Sequence, residues 1–189
     1  CAAGMESGGH RGTFLGDFAS SMVGTMALVP RCVDVLAPRG VAVVAAGGIM
    51  DGRGIAAAQA LGAEAVQMGT AFLSCDESGI GAPYRQALAN AKGTDTRTTR
   101  ALTGRHARGI VNALMDRLQA DEAAVPPYPV QNALTGALRK ASNEAGRADY
   151  LSLWAGQGVE AVRPMAAGAL VALLEEEWKQ ASARVGAVA

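Results

Sequence analysis

Aromatic rings, histidine and unbalanced charge are all scarce in this chain. Aromatics make up 4% of the 189 residues, histidine occurs twice, and 17 basic side chains meet 17 acidic ones for a net charge of zero. A chain without excess positive charge has no electrostatic basis for tracking a phosphate backbone or an anionic lipid surface, so neither nucleic acid nor membrane is an expected partner. Cysteine is sparse as well. Cys1, Cys32 and Cys75 are an odd, widely spaced set without a CxxC pair, and they specify neither a disulfide framework nor a metal site. No apolar run reaches the roughly 18 residues that suggest a membrane span, and no charged segment leads into an apolar stretch and a small-residue cleavage site. The expectation is a soluble protein of a reducing compartment, the cytoplasm. Disorder is disfavoured, because half the residues are hydrophobic and net charge is absent.

Glycine, in contrast, is abundant: there are 24, where average usage of about 7% predicts roughly 13. Two short apolar runs end in glycine, Val41 to Ala46 before Gly47-Gly48 and Ala65 to Met68 before Gly69-Thr70. Runs of this length, rich in small and β-branched residues, predict strands buried on both faces of a parallel sheet. Between them, 52–61 predicts a helix stopped by Gly62, giving one strand–helix–strand unit of an α/β fold. Upstream, 1–3 is the end of a further strand, 2–12 a glycine-rich loop, and 20–36 a helix interrupted or restarted near Pro30. Beyond Thr70 the pattern predicts helices over 83–92, 108–120, 130–145 and 164–183, with the proline-rich 125–129 non-helical. The chain thus divides into a partial α/β core over 1–75 and a C-terminal helical region over 76–189 that packs on it.

Gly8-Gly9-His10-Arg11-Gly12 surrounds one titratable ring with residues that let the backbone approach a ligand. Histidine exchanges protons near neutral pH, so His10 is a candidate general base; a hydrogen bond to a loop carbonyl is the plainer alternative. Gly47, Gly48, Gly69 and Thr70 follow successive strands, where backbone N–H groups can cradle a phosphate, although strand-ending glycines also serve as ordinary turns. Asp51 reads as the cap of the following helix, and Glu6 as a support for the glycine loop. Arg105, His106 and Arg108 read as a basic cluster or a solvated helix start. Tyr128, Gln131 and Trp154 either line a pocket or dock the helical region, and Glu175 to Glu177 read as an exposed helical face.

The segments 4–12 (GMESGGHRG), 46–49 with 51–54 (AGGI, DGRG) and 67–72 (QMGTAF) together resemble the flavin-dependent nitronate monooxygenases, formerly called 2-nitropropane dioxygenases. Gly104-Arg105, Ala107-Arg108, Tyr128-Pro129-Val130-Gln131 and Trp154-Ala155-Gly156-Gln157 extend the likeness to residue 157. The resemblance implies an FMN-binding β/α barrel with a helical cap. Its implied reaction is oxidation of alkyl nitronates by dioxygen to a carbonyl compound and nitrite, with a small nitronate or nitroalkane as the partner. On this pattern His10 is the base, and Ser7, Gly8, Gly9, Gly47, Gly48, Gln67, Gly69 and Thr70 serve the cofactor. Tyr128 and Gln131 face the substrate, and no metal is implied.

A whole (β/α)8 barrel takes about 250 residues, so the expected fold is the C-terminal part of a TIM-type barrel, its last two to three βα units followed by the helical region. Open sheet edges then predict self-association and weak FMN binding by the isolated chain. Two rivals share the glycine motifs: an NAD(P)H-dependent flavin reductase of the enoyl-acyl-carrier-protein or quinone reductase type, and a non-catalytic truncated barrel. The 128–131 and 154–157 segments favour the nitronate class.

Overall fold

In the computed structural model, which describes residues 1–187 apart from the side chain of Val185, the strands are β1 (Ala2–Ala3), β2 (Gly9–His10), β3 (Val44–Ala46), β4 (Ala65–Gln67), β5 (Thr96–Thr99) and β6 (Ala107–Ile110). The α-helices are α1 (Thr25–Leu36), α2 (Gly52–Ala60), α3 (Ala82–Asn90), α4 (Ala113–Arg117), α5 (Val130–Leu134), α6 (Gly136–Glu144) and α7 (Ala167–Gly186). The last two positions of the region expected over 76–189 lie outside the described residues. These elements sort into two compact units: one holds residues 1–7, 13–78 and the segment from Ala161, the other residues 8–12 and 79–160.

The first unit is built on a parallel sheet in the order β1-β3-β4, with Ala2 opposite Ala45 and Ala46 opposite Gln67. β3 and β4 lie within the two apolar runs but are shorter than expected: 41–43 stay outside the ladder before β3, Met68 follows β4, and β4 is exposed at Ala65 and Gln67 rather than buried on both faces. α1 runs through Pro30 without the expected interruption. A missing N–H inside a helix costs one hydrogen bond, and packing offsets it here: Val29 is fully buried, with Leu28, Cys32, Val33 and Leu36 packed around the same cluster. Burying a valine side chain contributes about 1.5–3 kcal/mol.

α2 begins where expected, capped by Asp51, whose Oδ1 accepts from Arg53 N at 2.9 Å and Gly54 N at 3.2 Å. It packs on α7, and Gly52 permits the close approach: a Cβ there would fall 2.1 Å from Glu177 C and Trp178 N. Leu170 and Leu174 of α7 pack with Cys75, Ile55 and Met68 in a second apolar cluster of this unit.

The second unit holds an antiparallel sheet in the order β2-β6-β5. The helix expected over 108–120 is not formed; 107–110 is strand, and only 113–117 is helical. Ala107 to Ile110 pair residue by residue with Thr99 to Thr96, and a Cβ on Gly109 would come 2.7 Å from Leu153 O. That close packing selects the extended form. Asn112 then starts α4, its side chain accepting from Met115 N at 3.2 Å. The helix expected over 130–145 divides at Thr135, whose hydroxyl lies 2.6 Å from Leu102 O and 3.1 Å from Gln131 O. Ala101, Leu102, Leu114 and Met115 form the core here. Among the described residues, no helix is long and apolar enough to cross a membrane.

Candidate functional site

In the first unit, Gly47-Gly48 and Gly69-Thr70 leave the adjacent carboxyl ends of β3 and β4, as the apolar runs predict. Gly47 is obligatory for two reasons: its φ is +101°, and a Cβ would lie 2.5 Å from Ser7 Oγ and 3.0 Å from Thr25 Oγ1. Gly48 has φ +74°, and a Cβ there would meet only the Glu6 methylene carbons, at 3.5 and 3.7 Å. A Cβ on Gly69 would enter open space. Ser7 Oγ is buried with no hydrogen-bond partner among the described residues. Gln67 is exposed at the end of β4, and Thr70 opens a short 3-10 turn. A cavity of about 260 Å³ opens beside Gly69, walled by Phe72, Leu73 and Cys75.

Glu6, expected from sequence to support the glycine loop, has its side-chain hydrogen bonds at the start of α1. Its carboxylate caps that helix, accepting from Thr25 N at 2.9 and 3.1 Å and from Thr25 Oγ1 at 2.7 Å. Thr25 Oγ1 also lies 2.9 Å from Gly47 O, so the helix start and the turn after β3 are tied together. A carboxylate at this position also meets the positive end of the helix dipole.

The second unit contains the histidine. Gly8 passes so close to Ala155 and Gly156 that a Cβ would come within 2.6 Å of their backbone, and Gly9 has φ +76°. β2 places His10 opposite Ala107 of β6. The His10 ring lies 5.4 Å from the Trp154 ring and 6.2 Å, edge-on, from Tyr128. Its Nε2 is 2.9 Å from Thr103 Oγ1. Partial desolvation, followed by the charge of Arg105, holds the imidazole pKa below its usual value. A ring kept neutral at pH 7 has a nitrogen lone pair with which to take a proton.

The supports of this cluster come from distant positions. Tyr84 Oη donates to Trp154 O at 2.5 Å, and burial pushes the Tyr84 phenol pKa up, so it stays a donor. Gly104, with φ +83°, lets its turn pack under 126–128: a Cβ would lie 2.2 Å from Pro126 O and 2.6 Å from Tyr128 N. The Arg105 guanidinium donates to Arg11 O at 3.0 and 3.3 Å. Arg105, His106 and Arg108 are no solvated helix start. Arg108 is buried in β6 and donates to Thr96 O and Oγ1 at 3.3 and 3.1 Å.

Tyr128 is 55% exposed, whereas Gln131 is buried and donates from Nε2 to Ala101 O at 2.7 Å. The structure therefore groups His10, Tyr128 and Trp154 and turns the Gln131 amide nitrogen to the backbone. Thr103 escaped sequence reading; its only local sign is its place beside the Gly104 turn. Among the described residues, no group of three or more histidine, cysteine or acidic side chains could hold a metal ion.

Comparison with known proteins gives a consistent picture. The family model for nitronate monooxygenase matches residues 1–177. A Staphylococcus saprophyticus protein named "Probable nitronate monooxygenase" is 49% identical over 173 residues, covering 90% of this chain and 48% of that protein. A Staphylococcus aureus protein of the same name is 48% identical over 157 residues, covering 82% and 43%. The chain spans about half the length of the curated relatives it matches. Among solved structures, nitroalkane oxidase from Streptomyces ansochromogenes superposes with a TM-score of 0.88 at 41% identity, covering 97% of this chain and 52% of that one. FabK from Thermotoga maritima gives 0.78 at 31% identity, covering 99% and 56%. With an α/β fold shared with these proteins and a family match over nearly its whole length, the chain belongs to the nitronate monooxygenase family.

Proposed function

We propose that this chain carries the phosphate cradle and the proton-accepting base of an FMN-dependent enzyme. That enzyme oxidises alkyl nitronates with dioxygen to a carbonyl compound and nitrite. The observation that carries the reading is His10, a ring biased to the neutral form and placed beside Trp154 and Tyr128. The family match and the likeness to nitroalkane oxidase support the substrate class. In this reading residues 1–75 are the last two to three βα units of a TIM-type barrel and residues 76–189 a C-terminal helical region.

The first unit fits the phosphate of FMN. Gly47, Gly48, Gly69 and Thr70 follow neighbouring parallel strands, a usual place for a phosphate, and the buried Ser7 hydroxyl lacks a protein partner among the described residues. These five residues, with Gln67 and with the Gly8-Gly9 backbone, would hold the cofactor. When bound, FMN supplies the electron transfer and the reaction with dioxygen. The chain's own chemistry is proton transfer. With a neutral nitroalkane, His10 takes the carbon-bound proton, the C–H electron pair moves toward the nitro group, and the nitronate results. A preformed nitronate needs no such step. Tyr128 and Trp154 flank the ring. Gln131 serves the substrate through its placement of α5.

Replacing His10 with asparagine separates the two roles. With FMN content held constant, His10→Asn should keep most oxidation of preformed nitronates and lose at least about a hundredfold on neutral nitroalkanes, within the range typical of a general base. Equal loss on both substrates would count against the base. A flavin reductase is the second reading, favoured by the likeness to FabK at 31% identity. Anaerobic mixing decides between them: bleaching of the flavin by a nitronate supports the oxidase reading, whereas rapid bleaching by NAD(P)H alone supports the reductase.

A further inference from the structure

Thr103 is buried at 4% exposure and lies outside the motifs of the sequence, yet among the described residues its hydroxyl is the hydrogen-bond partner of the His10 ring. Three contacts converge on that oxygen. His10 Nε2 lies at 2.9 Å, Arg105 N donates to it at 3.4 Å, and the hydroxyl itself donates to Arg105 O at 3.2 Å. A threonine hydroxyl carries a single proton. With that proton directed at the Arg105 carbonyl, the oxygen can only accept from the imidazole, so Nε2 bears the ring proton and the Nδ1 lone pair is left as the basic site.

We propose that Thr103 is a positioning residue that fixes His10 in the Nε2–H tautomer and so presents Nδ1 to the substrate carbon. The Trp154 and Tyr128 rings stand beside the imidazole, with centroids at 5.4 and 6.2 Å, while His10 keeps an exposed side. Arg105 is the charged group acting on the imidazole, and its backbone N–H and C=O supply the donor and the acceptor that orient the Thr103 hydroxyl. Arg105 thus adds, through its side chain, to the desolvation that disfavours the imidazolium, and selects the tautomer through its backbone. In the resulting step the substrate C–H bond breaks, an Nδ1–H bond forms, and the electron pair stays on the substrate as nitronate, with no other reactant needed. The catalytic consequence rests on the reading of His10 as base; the tautomer does not.

The test is nitrogen–proton correlation spectroscopy of the imidazoles in the 189-residue chain labelled with 15N-histidine. Only His10 and His106 contribute, and His106→Gln assigns the signals. The expected result is a protonated Nε2 and an unprotonated Nδ1 on His10, with a slowly exchanging Nε2–H. Thr103→Val, which keeps the shape and removes the acceptor, should bring the two nitrogen frequencies toward each other and abolish slow exchange. Thr103→Ser should restore both. A proton on Nδ1 in the parent chain, or unchanged ring frequencies in Thr103→Val, would overturn the proposal. In the FMN-loaded protein, Thr103→Val should lower kcat on neutral nitroalkanes about tenfold, the rate equivalent of one hydrogen bond, with preformed nitronates unaffected. Intact spectroscopic behaviour without that kinetic split would sink the base reading and leave the tautomer assignment standing.

Discussion

Glu177, on the C-terminal helix, closes the N-terminus of a helix 125 residues earlier: its Oε2 accepts from Gly52 N at 3.0 Å while its Oε1 pairs with Arg163 at 2.6 Å. Arg163 in turn donates to Met50 O at 2.8 Å. The carboxylate sits where the helix leaves N–H groups unsatisfied, and it joins α7 to the chain segment that follows β3. The acidic run at 175–177 is thus only partly the exposed face expected from sequence. Glu175 and Glu176 are exposed and pair with Lys179, whereas Glu177 turns inward.

Glu177→Ala should therefore cost about 1–2 kcal/mol, as loss of a cap does, and Gly52→Ala about 1–3 kcal/mol, because its Cβ would have to displace the α7 backbone. Glu176→Ala should be nearly neutral. Urea unfolding midpoints of the three variants check the order.

Two glycines separate folding from ligand contact. Gly47→Ala meets both a left-handed φ and Ser7 Oγ, and should lose about 1–3 kcal/mol of stability. Gly69 has φ −100° and open space around its missing Cβ. Gly69→Ala should leave the melting temperature unchanged. If the Gly69 amide faces the phosphate, FMN affinity should nonetheless fall about tenfold, the equivalent of one hydrogen bond. A titration following flavin fluorescence reads the second quantity, and unchanged affinity would remove Gly69 from the cradle.

The pH dependence has a definite sign. His10 is held below the usual histidine pKa, first by partial desolvation and then by Arg105, so the base form persists to lower pH than for a free imidazole. Activity on neutral nitroalkanes should rise through an acid limb whose midpoint lies below the usual histidine value. Arg105→Gln removes the repelling charge, raises the His10 pKa and moves that midpoint to higher pH. The His10 ring titration followed by NMR should shift the same way without any substrate, and a shift to lower pH would contradict the electrostatic account.

Local features of this protein were readable from the chain because each depends on near neighbours. Asp51 caps α2 through N–H groups two and three residues away. The strand-ending glycines mark where short apolar runs stop, and the loop of His10 announced itself by three glycines around one ring. Glu6 misled because its partner, Thr25, lies 19 residues downstream. Arg108 misled more. A strand of four residues has no helical or alternating signature of its own, and the ladder that makes it a strand joins it to residues 96–99 on one side and to the histidine strand on the other.

From sequence alone followed the α/β character, the positions of the two parallel strands with the helix between them, the family resemblance and the choice of His10. These rest on hydrophobic period, on helix-stop chemistry and on residue types that lie within a few positions of one another. Only the tertiary structure decided which groups surround that histidine. Thr103, Tyr128 and Trp154 lie 93, 118 and 144 residues further along the chain, and they converge because β2 and β6 pair and because Gly104 and Gly8 let backbone segments approach within van der Waals distance. Loop closure over such separations is compensated only by the packing and hydrogen bonds of the finished fold, which no local window contains. Histidine's capacity to exchange a proton is intrinsic to its side chain; which protonation state and which nitrogen it offers are set by neighbours that only folding supplies.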